Sequence, residues 1–239
     1  MIFLDYNAGA PLLAEAAAAL TRGLAAPGSN PSSVHQAGRA ARTRLTAARD
    51  AVARAFGCEG REVIFTASGS EGAALAIKGA WAARKDPGRT RVVTTSIEHP
   101  CVLGAMKQLE ASGAQVVRLA PDPSGRVPLE RVLEALTAEV AICSLIWVNN
   151  ETGVEQPVRE VSRACIQRGI VFHTDAVQAV GRIPTPCATS RRICSASPAT
   201  SSEPRRESAS CSRAGRCRSS RWSRATRKTA GGEEPRRWR

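Results

Sequence analysis

Aromatic side chains are scarce in this 239-residue chain, which has one Tyr, four Phe and four Trp. Lysine is scarcer still for so basic a protein, with only Lys78, Lys85, Lys107 and Lys228. No apolar run approaches the roughly 18 residues that a membrane span requires. The first residues, Met1 to Asp5, lack a basic region followed by an apolar stretch, so no secretory leader is expected and the expected location is cytoplasmic. Eight cysteines are present without a CxxC pair or a Cys/His cluster at zinc spacing, so neither a disulfide framework nor a structural metal is expected. Neither GxGxxG nor GxxxxGK[ST] occurs, which removes support for a dinucleotide or P-loop site.

Acidic residues are few in one region only. Of the 34 Lys+Arg and 21 Asp+Glu, 14 basic and 4 acidic residues follow residue 184, so most of the net +13 lies in the last 55 positions. That stretch holds a single Ile (Ile193) and no Leu, Val, Phe, Met or Asp. It cannot bury enough apolar surface to offset its ordering entropy, and it is expected to be disordered. Two origins compete for it. One is a natural basic tail that binds nucleic acid or an acidic surface. The other is an out-of-frame translation of a GC-rich gene.

The body reads differently. Short apolar runs at 62–66, 91–95, 115–119, 140–147 and 170–174 do not alternate with polar residues, as expected of parallel strands covered on both faces. Helical patterns lie between them at 71–84, 102–111, 129–136 and 158–168. The clearest precedes them at 33–56, with Val34, Ala37, Ala41, Leu45, Ala48, Val52 and Phe56 on one stripe. The alternation predicts an α/β fold with a mainly parallel sheet and flanking helices, in which ligands gather at the carboxyl ends of strands.

Four strand ends carry polar residues. The first leads into Ser68-Gly69-Ser70 and a helix start, suited to a phosphate, although a Ser N-cap would use the same residues. The second leads into Glu98-His99-Pro100, whose imidazole could lie on a flat ring, shuttle a proton or be structural. The third leads into Asn149-Asn150-Glu151-Thr152-Gly153, which offers amides or simply a turn. The fourth leads into Asp175-Ala176-Val177-Gln178. A buried carboxylate there needs a cation, which a protonated pyridine nitrogen or an Arg could supply. Together they suit a flat, anionic, nitrogen-containing cofactor.

These strings, with Leu4-Asp5-Tyr6-Asn7-Ala8, Ser29 to His35 and His173 to Gly181, resemble cysteine desulfurases of the NifS/IscS type, within the class V aminotransferases and the fold-type I pyridoxal-phosphate enzymes. The likeness runs from the first residues to about Pro184. It implies a segment of the small domain at 1–14, a partial cofactor-binding large domain at 15–184 and a foreign tail at 185–239. It implies pyridoxal 5'-phosphate with its phosphate on Gly69 and Ser70. His99 would stack on the ring and assist proton transfer. Asn150 would lie near the ring's phenolic oxygen and the substrate carboxylate. Asp175 would hold the pyridinium nitrogen, and Gln178 the ring oxygen. Asn7, Asn30 and His35 match family positions without a firm role. The implied activity converts L-cysteine to L-alanine and an enzyme persulfide, which serves iron–sulfur cluster assembly or tRNA thiolation. The implied partners are a second copy of the chain and sulfur-accepting scaffold proteins. Selenocysteine lyases and other class V transferases share these features.

The likeness then breaks. The family's covalent Lys sits in a Ser-x-His-Lys segment after the Asp-x-x-Gln motif, and none of the four lysines has that context. No later Cys matches the family's nucleophile, which must be a reactive thiolate, and the Arg that clamps the substrate carboxylate has no counterpart. The 239 residues are therefore expected to be inactive, with a sheet left open at an apolar edge and poor solubility.

Overall fold

The computed structural model describes residues 11–26 and 28–183, together with the backbone of 192–196 and 208–212. Its sheet has seven strands: β1 (Val63–Thr66), β2 (Arg91–Thr95), β3 (Gln115–Leu119), β4 (Val140–Ser144), β5 (Val171–Asp175), β6 (Arg192–Ala196) and β7 (Ser208–Ser212). The order is β1-β7-β6-β5-β4-β2-β3. Neighbours from β6 to β3 run parallel, whereas β7 is antiparallel to both β6 and β1.

Six helices accompany the sheet: α1 (Ala14–Ala25), α2 (Gln36–Phe56), α3 (Gly69–Ala82), α4 (Pro100–Ala111), α5 (Leu129–Ala135) and α6 (Val158–Gln167). The central strands β2, β4 and β5 are buried on both sides because each side meets helices, whereas β3, expected to be covered on both faces, lies at the sheet edge with no buried residue. Val92 and Ile142 pack with Ile77, Trp81 and Met106 of α3 and α4. Their chain neighbours Val93 and Cys143 point the other way, into a cluster with Val132, Val161 and Phe172 beneath α5 and α6. Burying both faces makes most strand side chains unavailable for chemistry. Polar groups are left to the strand ends.

The expected stripe on the first long helix is only partly buried. In α2, Gly38, Ala41 and Ala53 are buried, Leu45, Val52 and Phe56 are half-buried, and Ala37 and Ala48 are exposed, as is Val34 just before the helix. Its main contacts among the described elements are with the short 3-10 turn before β1 and with β1 itself, so periodicity there marked a helix more than a core face. α1 buries nothing, and Leu13, Leu20 and Leu24 are exposed.

Two expectations about the tail are corrected. Residues 192–196 and 208–212 form strands, although the whole of 185–239 was expected to lack regular structure. Strand pairing uses backbone N–H and C=O groups, which any composition supplies. The edge of β5, expected to be open, is covered by β6. The rest of that tail, with Lys228, Cys187 and Cys217, lies outside the described residues, as does Asn7.

β1 has no partner among the described strands except β7. The strand that delivers the α3 N-terminus is therefore joined to the parallel sheet only through tail residues. A chain ending at Ile183 should uncover β5 and release β1 from the sheet. Loss of a cooperative melt and elution as aggregates are the expected outcomes by circular dichroism and size-exclusion chromatography. A monodisperse product with an unchanged Tm would show that β6 and β7 add nothing.

Candidate active site

The sheet order places β2 and β4 side by side, although the chain visits β3 between them. A crevice at the carboxyl ends of such strands follows from this reversal. Glu98, just after β2, spans it. Its Oε1 accepts the Ile146 N–H at 2.8 Å, beyond β4, and the Thr95 hydroxyl at 3.0 Å. Asn149 closes the same gap by donating from Nδ2 to Ile97 O at 3.0 Å. The Trp147 N–H reaches Asp175 O at 2.9 Å and so ties the β4 end to the β5 end.

The first strand end arrives through α3. Ser68 caps this helix, accepting the Glu71 N–H at 3.1 Å. The cap and the anion cradle thus use different residues. Ser68 takes the capping role, and the N–H groups of Gly69 and Ser70 have no intrahelical acceptor. Glu71 folds back to accept the Ala67 N–H at 2.7 Å, which places a carboxylate at the same helix start.

His99 caps α4 with Pro100 in the first turn, and its Nδ1 accepts the Cys101 N–H at 3.2 Å. The same Nδ1 lies 2.9 Å from Cys101 Sγ. Ser70 lies close enough to the Cys101 thiol to hold its pKa down, which places the α3 and α4 starts near one another. Donor atoms of His99, Cys101 and Asp175 all fall within 4.8 Å of one another.

Asp175 is 6% exposed and accepts the Val177 N–H at 3.1 Å. Among the described residues it has no ion pair with Lys or Arg, so the Arg alternative finds no support. Burial pushes its carboxyl above the usual range, and the nearby His99 works against that rise. Burial also raises the Cys101 thiol, helped by the charge of Asp175. Burial pushes Glu98 up to about 8, with Asp175 adding to the rise and the Ile146 N–H and the Thr95 hydroxyl opposing it.

The tandem Asn pair divides its work. Asn149 Oδ1 accepts the Glu151 and Thr152 N–H groups and the Thr152 hydroxyl, making the turn. Gly153 completes it at φ +72°, a conformation glycine adopts without strain. Asn150 is half-buried, with its amide unclaimed by the described residues. Gln178 is half-buried beside Asp175 in sequence, and its Oε1 accepts from Arg182. Among the described residues the Asn30 and His35 side chains have local hydrogen bonds, accepting the Ser32 N–H at 2.8 Å and the Gly38 N–H at 3.2 Å. Lys78, Lys85 and Lys107 are exposed and take no part in the cluster. Sequence reasoning passed over Cys101. The signal was present, because Pro100 starts the helix and puts residues 99 and 101 at the same end.

The structure shows Ser70, His99 and Asp175 converging, and the hydrogen bonds between loops bring the Asn149-Asn150 turn to the same end of the sheet. A cradle of free N–H groups, an imidazole and a buried carboxylate without a cation fits an anionic pyridine cofactor. Asp175 would meet the ring nitrogen, Gly69 and Ser70 the phosphate.

Because folded Glu98 holds its proton more tightly than the unfolded chain, its contribution is full below about 4.5 and is withdrawn as pH rises through about 8. Across that window stability should fall by up to about 1.4 kcal/mol per pH unit from this group alone. Glu98→Gln removes the titration, so the variant should gain on the parent as pH rises, read by chemical denaturation at several pH values. A stability difference that does not change with pH would contradict this.

Comparison with known proteins gives the family. The profile of the family described as Aminotransferase class-V matches residues 2–190. A cysteine desulfurase of Cereibacter sphaeroides is 43% identical over 185 residues, covering 77% of this chain and 47% of that protein. Among solved structures, a NifS-like protein superposes with TM-score 0.79 at 26% identity, covering 90% of this chain and 60% of the other. A structure described as SspA in complex with cysteine gives TM-score 0.79 at 28% identity, covering 89% of this chain and 61% of the other. The chain spans about half the length of the curated relatives it matches. β6 and β7 both begin beyond the last residue that the family profile covers. On the profile match and the shared fold, this chain belongs to the class V aminotransferase family.

Proposed function

We propose that this chain carries the pyridoxal-phosphate cradle of a cysteine desulfurase, with L-cysteine as substrate of the whole enzyme. The single observation supporting this most strongly is Asp175, a buried carboxylate at the end of β5 with no Lys or Arg ion pair among the described residues. A pyridinium N–H is the partner it lacks, and that contact would reverse the rise that burial imposes on its carboxyl.

When bound, the cofactor supplies an electron sink that weakens bonds at the substrate's α-carbon. The chain's own residues orient it. Gly69 and Ser70 offer N–H groups and a hydroxyl at the positive end of α3. His99, held as the α4 cap, presents an imidazole fixed at the site for stacking and proton transfer. Asn150 brings an amide on a rigid turn, to address the phenolic oxygen and the substrate carboxylate. Gln178 reaches the same oxygen from the β5 side. Burial raises both the Glu98 carboxyl, to about 8, and the Cys101 thiol, which favours Asp175 as the main negative charge facing the ring.

The covalent Lys and the persulfide-carrying Cys have no counterpart in context within these 239 residues. We read residues 185–239 as translated out of frame. Exposed Leu13, Leu20, Leu24 and Val34 support a dimer, since a second copy would cover them. Delivery of sulfur to a scaffold protein or to tRNA belongs to the whole enzyme.

The test is a titration of the purified chain with pyridoxal phosphate, followed by absorbance and equilibrium dialysis. Saturable binding is expected. Asp175→Asn should weaken it by about 10–100-fold, the worth of one hydrogen bond to a charged group. No borohydride-fixed adduct on a site lysine and no alanine from cysteine are expected. Binding that ignores Asp175→Asn, or alanine release by the unaltered chain, would overturn the reading.

A further inference from the structure

One ring nitrogen of His99, Sγ of Cys101 and a carboxylate oxygen of Asp175 make a compact N, S, O donor set, all within 4.8 Å of one another. We propose that these three residues form a binding site for a thiophilic divalent cation of the zinc type, with the remaining coordination position open to water or an added ligand. The proposal shares residues with the cofactor site but does not depend on that reading.

Metal–ligand bonds of about 2.0–2.3 Å set tetrahedral donors roughly 3–4 Å apart. One donor atom from each residue lies within 4.8 Å of the others, so side-chain rotation closes the site, and ligation through His99 Nδ1 requires that atom to release the Cys101 N–H it now accepts. Imidazole, thiolate and carboxylate are all zinc donors, and a thiolate in the set disfavours magnesium and calcium. The donors stand on rigid ground: His99 and Cys101 at the start of α4, Asp175 at the buried end of β5. Outer support is present too, with the Val177 N–H on the carboxylate.

Charge favours the same conclusion. A buried carboxylate beside a thiolate is unfavourable alone, and a dication between them satisfies both. The positive end of α4 opposes a cation, but two anionic donors outweigh a partial charge. Binding breaks the Cys101 S–H bond, forms a sulfur–metal bond and releases one proton to solvent, with no change in oxidation state. An ion held there uses the carboxylate and imidazole that a pyridine ring would use, so the two ligands exclude each other.

Cobalt(II) added to the purified full-length chain is the direct probe. One equivalent should give a near-ultraviolet thiolate-to-cobalt band, which zinc then bleaches. Cys101→Ser should abolish the band. Asp175→Asn should weaken binding by at least the roughly 10–100-fold that outer-shell changes cost elsewhere. Circular dichroism establishes that each variant folds. In the unaltered chain, zinc should protect Cys101 from iodoacetamide, read by peptide mass spectrometry, so the test survives a variant that fails to fold. A band that persists in Cys101→Ser, or alkylation of Cys101 indifferent to zinc, overturns the proposal. Uptake of pyridoxal phosphate without cobalt would sink this site and leave the cofactor reading intact; cobalt without pyridoxal phosphate would do the reverse.

Discussion

A carboxylate buried without a cation is the constraint around which this molecule is organised. Asp175 ends β5 inside a layer that is dry on both faces, and no Lys or Arg among the described residues meets it. Leaving such a group unpaired is costly, so its surroundings divide the burden. Val177 donates one N–H, His99 lies nearby, and Glu98 avoids adding a second charge by holding its proton. The same arrangement makes the site receptive to a positively charged ligand, whether a pyridinium or a metal ion. Reactivity here follows from incomplete compensation.

Position comes from the sheet. Because α3 and α4 cover one face and α5 and α6 the other, side chains along the strands are committed to packing. Reversal of strand order between β2 and β4 opens the crevice, and three short-range ties hold its rim. These are Glu98 to Ile146, Asn149 to Ile97, and Trp147 to Asp175. Each has a backbone group on at least one side, at or just past a strand end, which fixes the loops without lengthening them.

Much of this was legible in the residues. Runs such as 91–95 and 115–119 became strands at those limits, because a short stretch built on a Val-Val pair and flanked by turn formers admits few alternatives. The division of labour within Ser68-Gly69-Ser70 and within Asn149-Asn150 was not legible. In each case the sequence offered a cap or turn and a ligand contact as rivals, and the fold uses neighbouring residues for both. α1 was missed because an alanine-rich stretch that buries nothing leaves no stripe to find. The tail strands could not be read from composition, since their pairing draws on backbone groups. Cys101 went unnoticed because its importance comes from Pro100 starting a helix, a tertiary consequence of a local break.

The central claim is that loops following β1, β2, β4 and β5 form one ligand site. Backbone amide NMR of the labelled chain, titrated with pyridoxal phosphate, tests it most directly. Signals from Ser70, Cys101, Asn150 and Gln178 should shift together with one shared saturation curve, while the exposed Lys78, Lys85 and Lys107 positions stay still. Shifts confined to one of those loops, or spread over the exposed lysines, would contradict the account.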